Sequence, residues 1–96
     1  MHYIILGNYT QEGIMKIKES PERLEQAQKV AKSFGGEIKQ FFSTMGRYDF
    51  VAITEAPSHE AALKAILVVA GAGAVRTETL TAVTAEEFAK ILKELP

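Results

Sequence analysis

The chain has no cysteine and no tryptophan, and only three of its 96 residues are proline. Without cysteine there is no disulfide, no thiolate nucleophile, and no Cys-ligated zinc or iron–sulfur cluster. Nothing here requires an oxidising compartment, so a cytoplasmic protein is expected. No charge of one sign dominates either: eleven Lys and Arg face twelve Asp and Glu, for a net charge of −1. A polyanion gains no overall attraction from such a surface, so nucleic acid is not an expected partner. No apolar run is long enough to span a bilayer. The stretch Ala65 to Val75 is eleven uncharged residues with Gly71 and Gly73 inside it, short of the ~18 to 20 required. Met1-His2-Tyr3-Ile4-Ile5-Leu6 lacks a basic leader and Asn8 follows too soon for a secretory apolar segment, so no membrane role and no cleaved leader are expected. There is no linker-like tract and no short repeat, which leaves a single domain over residues 1–96. A domain of this length buries only about 60 to 65% of its unfolded surface, a thin core that oligomerisation would help.

What is present is a clear alternation of patterns. His2 to Thr10 is rich in β-branched and aromatic residues and predicts a first strand, followed by a loop through Glu12-Gly13. Ser20-Pro21 reads as an N-cap and first helical residue. Leu24, Ala27, Val30, Ala31 and Phe34 then recur at helical spacing until Gly35-Gly36, giving a first helix over about 21–34. Glu37 to Ser43 predicts a second strand, Met45-Gly46-Arg47 a turn, and Tyr48 to Glu55 a third strand. Pro57-Ser58 opens a second helix over about 59–70 that is apolar nearly all round, which predicts deep burial. Val75 to Val83 predicts a fourth strand. Thr84-Ala85-Glu86-Glu87 is a capping box that starts a last helix with Phe88, Ile91, Leu92 and Leu95 on one stripe.

The order βαββαβα joins two crossovers antiparallel. It predicts an α+β, ferredoxin-like fold: a four-stranded antiparallel sheet in the order four, one, three, two, helices on one face, and an extra C-terminal helix. The first and third strands carry apolar residues on both faces, Ile4 and Leu6 against Ile5, and Phe50 and Ala52 against Val51 and Ile53. One helix layer covers only one face. The other face is therefore expected to pair with a second copy, with the last helix reaching across, unless that helix covers the face within its own subunit.

The segment Gly46-Arg47-Tyr48-Asp49-Phe50-Val51-Ala52-Ile53, with Glu55-Ala56-Pro57 and Gly73-Ala74-Val75-Arg76-Thr77-Glu78-Thr79-Leu80, resembles the GYD domain family of bacteria and archaea. The resemblance extends from Tyr3-Ile4-Ile5-Leu6, Thr10 and Gly13 through Pro21 and Arg23 to the final helix. It implies the dimeric α/β barrel architecture, the same two-faced sheet that the pattern predicts, and it implies no particular reaction. Where the family often has Gly-Asn before Val-Arg-Thr, this chain has Gly73-Ala74, so no side-chain amide acts there.

Because the first strand runs antiparallel to the third and fourth, the end of the first meets the starts of the others. Tyr9, Thr10, Arg47, Tyr48, Asp49, Arg76 and Thr77 are thereby gathered at one end of the sheet as candidates for binding a small polar ligand. Burial of Asp49 would make it a general base, with Arg76 or Arg47 holding an oxyanion and a tyrosine orienting substrate. The structural alternative has Asp49 satisfying backbone donors, Arg76 paired with it or with Glu78, and the tyrosines packing the rim. Other signatures fail. His59-Glu60-Ala61-Ala62-Leu63 has leucine where a zinc helix requires its second histidine, and His2 is too isolated to complete a metal site. Gly71-Ala72-Gly73 ends a helix, whereas a dinucleotide loop opens one, and Arg76 stands where the third glycine belongs. Asp49 and Ile53 break the aromatic pattern of an RNA-reading strand. No cofactor and no metal are expected. Two functions follow as expectations. The first is an oligomeric small-molecule-binding protein or cofactor-independent enzyme that uses the space between sheet and helices. The alternative is a non-catalytic oligomerisation or interaction module; both have a homodimer or higher homo-oligomer as the working form.

Overall fold

A computed structural model describes residues 1–96. Strand β1 (His2–Tyr9) leads into a short helix α1 (Gln11–Met15) and a single 3₁₀ turn (Ile17–Glu19), then α2 (Ser20–Ser33) and β2 (Glu37–Ser43). After the turn come β3 (Phe50–Glu55), α3 (His59–Gly71), β4 (Val75–Ala82) and α4 (Ala85–Lys93). The sheet order is β2-β3-β1-β4 and every pairing is antiparallel. This is the expected α+β arrangement with its extra C-terminal helix.

Local chemistry explains most boundaries. Ser58 caps α3 by accepting from the Ala61 N–H, and Thr84 caps α4 in a complete capping box with Glu87. Three expectations change. The loop after β1 contains α1, because the Thr10 hydroxyl accepts from the Gly13 N–H and so starts a helical turn. Ser20 is itself helical rather than a cap, and its hydroxyl accepts instead from Arg23. β3 begins at Phe50, not Tyr48, since Tyr48 and Asp49 belong to a turn closed by Thr44, whose hydroxyl donates to the Tyr48 carbonyl at 2.6 Å.

Alternation divides the sheet cleanly. Tyr3, Ile5, Gly7 and Tyr9 of β1 face the helices with Phe50 and Ala52 of β3, whereas Ile4 and Leu6 face outward with Val51, Ile53 and Leu80. A slip between Ile38 and Gln40 lets Phe41 face the helices and Phe42 face outward. On the helix side the core is small: Tyr3, Phe50, Ala52 and Ala74 are its only buried apolar side chains, and none is fully sealed from solvent. Phe50 lies between Phe41, stacked at 5.3 Å, and Tyr9, tilted at 5.6 Å.

The expectation of a deeply buried second helix is overturned. α3 turns Ala61, Ala62, Ala65 and Ile66 toward the sheet, while Leu63 and Leu67 are 55 and 61% exposed. One layer of helices can bury only one face of each helix, and nothing in the chain lies over the other. α4 does not cover the sheet either: no strand or helix packs along it, and Phe88, Ile91, Leu92 and Leu95 stay 45 to 60% exposed. The chain spans 52 Å with a radius of gyration of 14.6 Å, against about 12.5 Å for a globule of this length. The outer face of the sheet is therefore uncovered by the chain's own residues.

Candidate functional site

The residues picked out at one end of the sheet are indeed brought there, by a register that sets Tyr9 opposite Val75, Asn8 opposite Arg76 and Gly7 opposite both Thr77 and Phe50. They do not form one cluster, because neighbouring residues on a strand point to opposite faces. Tyr9 and Thr77 face the helices, while Arg76 and Tyr48 lie toward the outer face with Asn8 and Glu78.

On the outer side these groups line a depression of about 160 Å³ with Leu6. The Tyr48 hydroxyl donates to Glu78 Oε1 at 2.9 Å, and the Arg47 guanidinium lies 5.6 Å from the centre of the Tyr48 ring. The Glu78 carboxylate holds the Tyr48 phenol above its ordinary value near 10, with desolvation adding in the same direction. Arg76 forms no ion pair. Glu78 was not among the expected site residues. Its place two residues beyond Arg76, hence on the same face of β4, was the signal that would have found it.

Asp49 and Thr10 serve the backbone. Asp49 Oδ2 accepts the Tyr9 N–H at 2.9 Å, and the Asp49 N–H donates to the Gly7 carbonyl at 2.8 Å, so this side chain closes the end of β1 against β3. The Thr10 hydroxyl donates to the Gly73 carbonyl at 2.6 Å while accepting from Gly13, which ties α1 to the start of β4. Gly73 has φ +88, a conformation that suits glycine at this junction.

The other end of the sheet holds polar pairs that no local pattern announces. The Tyr3 hydroxyl shares a hydrogen bond with His59 Nδ1, joining the buried centre of β1 to the first turn of α3. His2 bridges Glu55 at 3.0 Å and Glu87 at 3.4 Å, and so connects the end of β3 to the start of α4. Lys39 reaches Glu55 at 3.2 Å, and its hydrogen bond holds the Glu55 carboxyl below the ordinary glutamate value. Glu87 is lowered as well, chiefly by the Thr84 N–H and hydroxyl of the capping box. No cluster of three or more His, Asp or Glu side chains is placed to hold a metal ion.

A space of about 440 Å³ with a mostly apolar lining lies between the sheet and the two long helices. Alanines supply much of its helix side, Ala27 and Ala31 from α2 and Ala61, Ala62 and Ala65 from α3, interspersed with Leu24, Val30, Phe34 and Ile66. Tyr9, Ser20, Arg23, Gln26 and Thr77, with Thr54 and Glu55 toward the opposite end of β3, are its polar members.

A GYD domain model matches residues 3–92. The chain belongs to the GYD domain family. Among related proteins of known name, this GYD-domain protein is 30% identical over 92 residues to one from Thermus thermophilus. That relative is named as a glutamine synthetase and cystathionine beta-lyase binding protein, and the match covers 95% of this chain and 97% of the relative. No helix here is long and apolar enough to cross a membrane.

Proposed function

We propose that this GYD-domain protein is a non-catalytic, protein-binding module whose subunits pair through the outer face of the sheet. The observation that carries the reading is that face itself: Ile4, Leu6, Phe42, Val51, Ile53 and Leu80 form an apolar surface that nothing in the chain covers. Strands of roughly 26 Å, four abreast at ~4.8 Å, give a face of about 500 Å². Two such faces reach about 1,000 Å², the lower edge of a stable interface, and α4 laid across the partner adds its own apolar stripe. The resulting dimeric α/β barrel is the architecture that membership of the family suggests.

The polar rim supports a non-catalytic reading. Asp49 is engaged by the Tyr9 N–H, Glu78 by Tyr48 and Thr10 by Gly73, so the groups that would serve as base or nucleophile hold the rim together instead. The relative's name, with its two enzyme partners, favours protein ligands, and a cytoplasmic place accords with partners of that kind.

Sedimentation equilibrium of the parent and of Ile53→Glu tests the pairing, and immobilised glutamine synthetase from the same source tests the partner. The parent is expected to be dimeric or larger at micromolar concentration, and Ile53→Glu to be a folded monomer. A folded monomeric parent, or an Ile53→Glu variant that keeps its assembly, would refute the pairing. Failure of the parent to bind glutamine synthetase would remove that enzyme as partner.

A further inference from the structure

We infer that the space between the sheet and the helices is a binding site for a medium-chain carboxylic acid, with the apolar chain inside and the carboxylate on Arg23 and Tyr9. Three observations converge. The cavity of about 440 Å³ falls within the roughly 300–1,000 Å³ of small-molecule sites and has their mostly apolar lining. Alanines on both helices contribute much of its helix side, next to Leu24, Val30, Phe34 and Ile66.

The second observation is charge. Arg23 lines the cavity and forms no ion pair. Only its Nη2 is used within the chain, donating to the carbonyls of Gly13 and Lys16 and to the Ser20 hydroxyl. Those bonds fix the guanidinium while leaving its other N–H donors without a partner in the protein. The third is the Tyr9 hydroxyl, which also has no partner, although the residue's backbone is held by Asp49. Both residues line the space, and Arg23, in the first turn of α2, holds the Gly13 carbonyl of the α1 segment that follows Tyr9, so both stand toward the end of the sheet where β1 finishes.

One fixed cation beside one hydroxyl suits the two oxygens of a carboxylate; a phosphate dianion would leave charge unmatched. The apolar walls then demand a hydrocarbon chain. The site lies inside one subunit on the helix side of the sheet, so it stands independently of pairing through the outer face.

The test is calorimetric titration of the parent with dodecanoate and with dodecanol, alongside the variants Arg23→Met, Tyr9→Phe, Ala65→Phe and Ala27→Leu. Circular dichroism and sedimentation on the same samples report fold and assembly. Dodecanoate is expected to bind the parent saturably and at least roughly tenfold more tightly than dodecanol, the value of one charge-assisted hydrogen bond. Arg23→Met should bring the two ligands to equal affinity, and Ala65→Phe should abolish binding by occupying the site. If Arg23→Met does not fold, Tyr9→Phe must still weaken dodecanoate more than dodecanol; if Ala65→Phe does not fold, Ala27→Leu must weaken both. Absence of saturable binding to the folded parent, equal binding of acid and alcohol, or binding undiminished in a folded cavity-filling variant would each overturn the assignment.

Discussion

Replacing Gly13 by alanine puts the way α1 is fastened to the sheet to its sharpest test. A Cβ at this buried position would lie 2.0 Å from the Ala74 carbonyl oxygen and 2.9 Å from its carbon. These are backbone atoms at the entry to β4, and they cannot turn aside as a flexible side chain would. The same carbonyl accepts the Thr10 N–H at 3.1 Å, and the Thr10 hydroxyl donates to the neighbouring Gly73 carbonyl at 2.6 Å. Moving the junction by the ångström or so required would break both bonds. Two hydrogen bonds at about 1 kcal/mol each and about 2 kcal/mol of overpacking, less about 1 kcal/mol of helix propensity gained from alanine, leave a net loss of about 3 kcal/mol. In a domain of this size that lowers Tm by roughly 12 to 24 °C. Gly71, at the end of α3, supplies the control, because a Cβ there meets nothing within 4 Å. Gly71→Ala is expected to be neutral or to stabilise by up to about 1 kcal/mol. Urea unfolding at matched protein concentration, which holds assembly fixed, reads both variants through the midpoint at unchanged slope. A Gly13→Ala protein whose urea midpoint reports a loss below about 0.5 kcal/mol, or a Gly71→Ala protein that loses as much as about 3 kcal/mol, would refute the reasoning.

Two further measurements address the ends of the sheet. The Glu55 carboxyl is held below its ordinary value of 4.5 by Lys39, so the pair's contribution is present above that value and is lost as pH falls through the lowered folded value. Lys39 is raised from 10.5 by the same contact, so the contribution is present below that value and is lost as pH rises through the raised folded value. Carboxyl titration by NMR should show Lys39→Met returning Glu55 toward 4.5 while Glu87 stays low, and Thr84→Ala should do the reverse; concerted movement of both carboxyls in either variant would show that the causes are not separate. At the rim, Glu78→Gln should bring the Tyr48 phenol down toward its ordinary value, seen as earlier phenolate absorbance on raising pH. An unchanged titration curve would mean that Glu78 does not hold that hydroxyl.

Much of this was legible beforehand, for reasons of local chemistry. The strand and helix order, the sheet order and the Thr84 capping box follow from alternation, helical spacing and caps, each a property of a few adjacent residues. The two-sided apolar character of β1 and β3 was likewise a matter of counting alternate positions. Antiparallel register was enough to bring Asn8 beside Arg76 and Gly7 beside Phe50.

What the sequence could not decide were matters of separation in space. That Tyr9 and Arg76 sit on opposite faces depends on the phase of β4 against β1, which a one-residue slip would reverse. That Asp49 binds the Tyr9 N–H, and that Tyr3 meets His59 across 56 positions, depends on how turns and helices dock. The apolar circumference of α3 appeared to demand burial, but a single helix layer leaves Leu63 and Leu67 outside. Periodicity measures how apolar a helix face is, and only the packing of the layers determines whether anything lies against it. The cavity has the same origin: alanines favour helix wherever they stand, and only the spacing of helices from sheet leaves a mostly apolar space beside five of them, with Arg23 at its lining.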